Sequence, residues 1–357
     1  MTWFKNICFG FLAFLVFDLI CSNFLLDKNK EISVEHQVFH HHFLPNHYFE
    51  NETLKYGKYK IFTNSLGFRD SKIRKIDLTN KNRIIVIGDS FVEGVLLDYP
   101  YTVVGLMDNH FSQKGIEILN AGVSSYSPII YYNKIKYFLE NGLKFSHLVV
   151  FIDISDIQDE LFYKYDDFSK SVKSTKILIE NKNKNLKQRF LFFLKNNLTI
   201  NYNIIKYFYT KTIHRYYPTE KRFFKYILSK EYDRDKWTLN EDIRLKYNKG
   251  IESSINQMQL LKNLLDKNEI KLTIVVYPWI SQIYYKDLES LQVKIWKDFS
   301  KKNYINFINL FPVFINDNIN NFNFYEKIKE DFIAKDVHWN RNGSKKVFKH
   351  FIKKFNY

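Results

Sequence analysis

Ser90 follows directly on a short apolar run, within Gly88-Asp89-Ser90. At the carboxyl end of a buried strand, such a side chain points into a ligand crevice. A helix starting there would aim backbone N–H groups at a developing oxyanion, so Ser90 is a candidate nucleophile. The same tripeptide is also an ordinary turn or helix N-cap. A serine hydroxyl needs a base for its proton, and Asp336-Val337-His338-Trp339-Asn340 near the C-terminus offers one. His338 would supply the imidazole. Asp336, two residues earlier, would fix its tautomer by reaching Nδ1 if the loop bends suitably. In isolation, a His beside an Asp is often only a structural surface pair. Two further segments sit where strands should end. Gly122, in Asn120-Ala121-Gly122, lets the backbone approach a ligand and offer its N–H. Asp153-Ile154-Ser155-Asp156 lies at the same crevice edge.

These residues need a scaffold, and the hydrophobic pattern predicts one. Buried strands are expected at 83–87, 116–120, 148–152, 271–277 and 305–310, and helices at 101–114, 248–268, 289–301 and 343–355. Ser127-Pro128 opens a further helix that runs to Asn141, with proline at its first position. Strands alternating with helices, and continuous rather than alternating apolar runs, indicate an α/β protein with a parallel sheet covered on both faces. Ligands then bind at the carboxyl ends of the strands.

Together these pieces resemble the SGNH (GDSL-type) hydrolase superfamily. Its first block matches as Gly88-Asp89-Ser90, its second as Asn120-Ala121-Gly122, and its last as Asp336-Val337-His338 with Asn340 and Gly343 downstream. The resemblance covers about 83–157 and 248–357 and implies a flavodoxin-like fold with a five-stranded parallel sheet. It makes Ser90 the nucleophile, His338 the base and Asp336 the orienting acid. The oxyanion hole would use the backbone N–H groups of Ser90 and Gly122 and a side chain of the third block. That block departs from the usual Gly-x-Asn-Asp: Ser155 stands where the asparagine amide would donate. The acid usually three residues before the histidine is replaced by Lys335. The two-residue spacing resembles the Asp-x-His of SGNH-like enzymes and O-acetyltransferases acting on exported polysaccharides, and Asp331 is the weaker substitute. Asn64-Ser65-Leu66-Gly67-Phe68-Arg69 resembles a stretch common upstream of the catalytic block in exported members. It reads as a turn in which Arg69 pairs with a carboxylate, or as a substrate contact. Tyr277-Pro278-Trp279 resembles the end of their fourth strand.

The chain starts with an apolar run, 7–26, of about the length that crosses a bilayer core. No clean cleavage site follows it, so residues 1–27 are expected to be an uncleaved signal anchor. Asp18 within it is costly in lipid. It is either a tolerated polar residue or a contact with another membrane protein. Cys8 and Cys21 are the only cysteines and both lie in this run, so the rest of the chain has no disulfide and no thiolate-bound metal. Residues 28–82 are an upstream segment, and 83–357 the catalytic domain, interrupted at 163–247 by an insertion rich in Lys, Tyr, Phe and Asn. The insertion reads as a helical cap on the core or as a basic aromatic lid, densest over 189–209. His36, His40, His41, His42 and His47 cluster after the anchor. Imidazole is a common metal ligand, but neither carboxylate nor cysteine accompanies them and neighbouring side chains on an extended chain diverge, so no metal is expected.

The 357 residues carry 54 Lys+Arg against 38 Asp+Glu, a net charge of +16. Such a charge invites an anionic partner, but Ala13, Ala121 and Ala334 are the only alanines, and Lys, Asn and Ile abound. A genome poor in G and C would account for much of the excess. An anchored, exported domain sets nucleic acid aside and leaves a membrane or glycan surface. The expectation is a membrane-anchored, extracytoplasmic serine esterase or O-acyltransferase that needs no cofactor. It would act on an acylated surface glycan or glycolipid, with a membrane-bound acyltransferase as a possible donor partner. The alternative is a catalytically silent SGNH-fold module that binds glycan or scaffolds envelope assembly.

Overall fold

The computed structural model describes residues 2–25, 32–53, 57–175, 193–194, 197–213, 220–315, 323–355 and 357. The chain forms two compact units, 1–32 with 175–219, and 33–174 with 220–357. The larger unit is a central sheet covered by helices. Its chain-order strands are β1 (Ser33–His36), β2 (His40–Phe43), β3 (Tyr48–Thr53), β4 (Gly57–Thr63), β5 (Arg69–Asp70), β6 (Arg83–Ile87), β7 (Glu117–Asn120), β8 (His147–Ile152), β9 (Tyr163–Asp166), β10 (Ser171–Ser174), β11 (Lys271–Val276) and β12 (Asn306–Asn309). The expected strands and helices all form, with ends shifted by a few residues. The long helix Glu241–Lys267 starts earlier than its apolar pattern, because Asn240 caps it by accepting from the Ile243 N–H at 3.0 Å.

The sheet has eight strands in the order β12-β11-β8-β6-β7-β5-β4-β3. Counted along the chain, its five parallel strands run 2-1-3-4-5, the flavodoxin-like order. Every residue of β6 and β8 is buried, as continuous apolar runs between two helical layers require. The expectation of five strands needs correction: β5 pairs antiparallel with β7 through Arg69 and Asn120, and β4 and β3 extend the edge antiparallel. These strands come from 28–82, so most of that segment is part of the same unit rather than a separate approach to it. Strand order reverses between β6 and β8, and the crevice for a ligand opens beyond their carboxyl ends.

The insertion also differs from a single helical cap. It opens with the hairpin β9–β10, and its last part, from Glu220, is built into the larger unit. There Trp237 donates its Nε1–H to Ile154 O at 2.8 Å, fixing a short helical turn, Asp233–Thr238, against the end of β8. Part of the aromatic stretch 189–209 lies outside the described residues.

Arg69 explains the upstream motif. Its fully buried guanidinium donates to Glu93 O at 2.6 Å, to Gly94 O at 2.7 Å and to Leu97 O. It therefore pairs with carbonyls, not with a carboxylate, and it closes off the short helix Ser90–Glu93, whose end turns through Gly94 at φ +79°. Lysine at this position keeps the charge but loses the fork. We expect Arg69→Lys to lower stability by at least about 2 kcal/mol in urea unfolding, since orphaned buried carbonyls cost on that order each.

Candidate active site

Strand β6 delivers Gly88, Asp89 and Ser90 to the crevice. A Cβ on Gly88 would lie 2.5 Å from Val92 Cγ2 and 2.9 Å from Phe151 O, so only glycine lets the turn close against β8. Asp89 caps the helix that starts at Ser90 by accepting from the Phe91 N–H at 3.0 Å. The imidazole arrives on the loop between helices Phe324–Asp331 and Arg341–Lys354. Asn340 holds that loop: its side chain accepts from the Asn342 and Gly343 N–H groups and donates to the carbonyls of Lys329, Glu330 and Phe332. A bridge between Phe332 and Trp339 closes the loop.

His338 Nε2 lies 2.8 Å from Ser90 Oγ, and His338 Nδ1 lies 2.5 Å from Asp336 Oδ1. The loop bends because Asp336 Oδ1 also accepts the backbone N–H of His338 at 3.0 Å, which compensates for the two-residue spacing. Asp331 is engaged by Lys346 at 2.6 Å. The His338 ring packs 4.8 Å from the Phe91 ring, which fixes its plane. Burial opposes the imidazolium, but the hydrogen bond and charge of Asp336 outweigh it and raise the pKa above its ordinary 6.5.

Behind the serine lie three buried carboxylates, Asp89, Asp153 and Asp156, with ligand oxygens within 4.8 Å of one another. Asp153 accepts from Trp279 Nε1 at 2.7 Å and from the Ser155 N–H at 2.6 Å. Asp156 accepts from Tyr131 Oη at 2.7 Å and from the Asp153 N–H at 3.1 Å. Burial and the facing Asp153 push Asp89 up to about 8, and burial with the facing acids pushes Asp156 up strongly. Like charges this close cannot all ionise. The consequence reaches Ser90, whose Oγ is 3.2 Å from Asp89 Oδ2. Burial and Asp153 oppose a charge on Asp89, and His338 Nε2, at 2.8 Å, is the shorter of the two contacts of the hydroxyl.

The oxyanion donors expected from the sequence fare unevenly. The Gly122 N–H is donated to Asn120 Oδ1 at 3.0 Å, so it does not point into open space as expected. Gly122 is required for packing instead: a Cβ would lie 2.6 Å from Val92 Cγ1. Ser155 is buried, and its Oγ has no hydrogen-bond partner among the described residues. Four of the five histidines, His36, His40, His41 and His42, pack in the β1–β2 hairpin. His41 Nε2 donates to Ser124 O at 2.9 Å, His36 stacks on Phe39 at 3.6 Å, and burial lowers His36, His41 and His42 to about 4.

Sequence reasoning missed Arg234 and Tyr232, whose polar and aromatic types carry no motif. Arg234 pairs with Asp159 and lies over the Trp279 ring at 5.9 Å. Rings run in series from exposed Tyr226 to Tyr232 (5.4 Å), Trp279 (6.3 Å), Phe91 (6.2 Å) and His338 (4.8 Å).

A serine–histidine–aspartate relay at the switch point of a flavodoxin-like sheet is the arrangement that the fold and site define. Solved structures similar to this chain include a G-D-S-L family protein from Desulfitobacterium hafniense DCB-2, at 11% identity over 77% of this chain and 100% of that one, TM-score 0.40. They also include an acetylxylan esterase from Geobacillus stearothermophilus, at 12% identity over 77% and 94%, TM-score 0.39, and the esterase EstA from Pseudoalteromonas sp., at 9% over 77% and 96%, TM-score 0.39. No family model and no curated protein matches the chain. At such TM-scores the likeness carries no weight on function, which rests on the site's own geometry.

An NMR titration of the His338 imidazole is expected to give a pKa above 6.5. Asp336→Asn removes the charge that favours the imidazolium and should move that pKa down. An unchanged value would detach Asp336 from the relay.

Proposed function

We propose that this protein is an SGNH-type serine esterase or O-acyltransferase, held at the membrane by the helix beginning at Thr2, with its catalytic unit outside the cytoplasm. The observation that carries this reading is the continuous hydrogen-bond relay from Asp336 through His338 to Ser90. In it, His338 takes the Ser90 proton as Oγ attacks an ester carbonyl, Asp336 stabilises the imidazolium, and the protonated imidazole then passes its proton to the departing alcohol. This leaves an acyl-Ser90. Water completes hydrolysis, and a sugar hydroxyl completes transfer, with His338 again the base. The Ser90 N–H at the helix start and the unpartnered Ser155 hydroxyl are the proposed oxyanion donors, and Gly122 would join them only if its bond to Asn120 opened.

The substrate proposed is an acylated surface polysaccharide or glycolipid. The row of rings from Tyr226 to Trp279 supports a sugar-bearing substrate, because aromatic faces offer rigid apolar area with polar edges. A membrane-bound acyltransferase would be the donor partner if the reaction is transfer. The second reading, a silent module that binds glycan, draws on the occupied Gly122 N–H and the serine at position 155.

A fluorophosphonate probe separates the two. Labelling of the wild type and none of Ser90→Ala is expected. Correctly folded wild type that resists the probe would favour the silent module. On a small acetyl ester, His338→Ala and Asp336→Ala are each expected to lower turnover by about 10³-fold or more. Ser155→Ala should lower it by about 10²-fold if its hydroxyl donates to the oxyanion.

A further inference from the structure

Asp18 lies inside the apolar segment Trp3–Leu25, yet it is fully buried. Its partners are in its own chain, so the structure does not direct it at a second membrane protein. Its Oδ1 accepts from Ser22 Oγ at 2.6 Å and from the Ile200 N–H at 3.0 Å, and its Oδ2 accepts from the N–H and the Nδ2 of Asn201 at 2.7 and 2.5 Å. Ser22 Oγ in turn accepts the Thr199 N–H at 2.8 Å. These are backbone donors of the first turn of helix Thr199–Ile213, which shares a compact unit with the apolar segment.

The first N–H groups of a helix have no partner within it, and in hydrocarbon each unsatisfied one costs several kcal/mol. A carboxylate placed inside the apolar segment, together with a serine hydroxyl, satisfies three of them. The pairing would also relieve the cost of the charge itself, since the helix N-terminus is its positive end. Asp18 is seven residues from Leu25, which at 1.5 Å per residue is about 10 Å along the helix axis. The bound helix then exposes Ile204, Ile205 (48%), Tyr207 and Phe208 (64%), alongside a segment whose own Phe11, Val16 and Phe17 are exposed. Its asparagines, tyrosines and lysines make it too polar to span a bilayer, but a helix lying at the acyl boundary buries its apolar face by about 5–10 Å. Lys206 can reach outward along its stem.

We infer that helix Thr199–Ile213 is a second membrane element, lying at the hydrocarbon boundary with its apolar side chains against lipid acyl chains and pinned there by Asp18. This rests on reading Trp3–Leu25 as membrane-embedded. The test uses the full chain with Cys8→Ser and Cys21→Ala, reconstituted in phosphatidylcholine–phosphatidylglycerol vesicles. A spin label is placed at Leu12→Cys or Phe208→Cys, and its collision rates with oxygen and with a water-soluble nickel chelate are compared. Lipid-type contrast at both positions is expected. A lipid-exposed label at 12 with an aqueous one at 208 would overturn the inference and leave the anchor intact, whereas aqueous labels at both would overturn the anchor reading itself. Asp18→Leu should raise chelate access at position 208 several-fold with position 12 unchanged, and Asp18→Asn should do so less. No change in either variant would overturn the role of Asp18 as the pin.

Discussion

The hydrogen bond between His338 Nε2 and Ser90 Oγ joins residues 248 positions apart, and the remaining architecture can be read as what brings them within 2.8 Å. Ser90 is fixed from three sides. Gly88 lets the backbone close on β8, Asp89 caps the helix that begins at the serine, and Arg69 gathers the carbonyls at that helix's far end. His338 is fixed by a loop whose own polar groups are spent internally, through Asn340 and Asp336, so that little conformational freedom is left to the imidazole. A misplacement of about 1 Å in such a pair can cost two orders of magnitude in rate. That cost gives a physical reason for spending a fully buried arginine on a four-residue helix.

The acids behind the serine impose a second constraint. Asp89, Asp153 and Asp156 are buried together, and only shared protons or outside donors make that tolerable. Tyr131, on the helix Pro128–Glu140, and Tyr277 and Trp279, on the loop after β11, supply donors. The result is an asymmetric electrostatic setting. The carboxyl next to Ser90 is held protonated near neutrality, whereas Asp336, with its histidine, is not part of the cluster. Two aspartates, both adjacent to the same dyad, thereby stand in different electrostatic settings, set by burial and by the facing Asp153.

Much of this was legible in the residues. Three of the five parallel strands, β6, β8 and β11, declare themselves as nearly unbroken apolar runs, because burial on both faces removes any need for polar alternation, whereas β7 and β12 are shorter runs bounded by Glu or Asn. The grouping of Ser90, Asp336 and His338 was legible because Ser90 follows β6 and the Asp-x-His pair stands directly before the last amphipathic helix. What was not legible falls into two kinds. Strands β3 to β5 lie in weakly periodic sequence, and β5 is only two residues long, so pairing with β7 rather than local propensity makes it a strand. Side-chain partnerships made across long separations leave no local pattern. Arg69 looked like the partner of a carboxylate and binds carbonyls. Gly122 looked like an oxyanion donor, but its N–H is taken by the asparagine two residues before it.

The same distinction applies to the chain's unusual charge. A net +16 cannot be read as one surface, because individual cations serve unrelated ends. Lys134 is buried under Phe68 and Tyr126, donates to Ala121 O at 2.9 Å, and is held well below its ordinary pKa by burial. Arg83 is buried against Glu117, and Lys236 against Asp235. Cations committed to the interior contribute nothing to steering a distant anion, because their fields are compensated where they arise. The partner that the charge suggests must therefore be argued from exposed lysines and apolar side chains taken together.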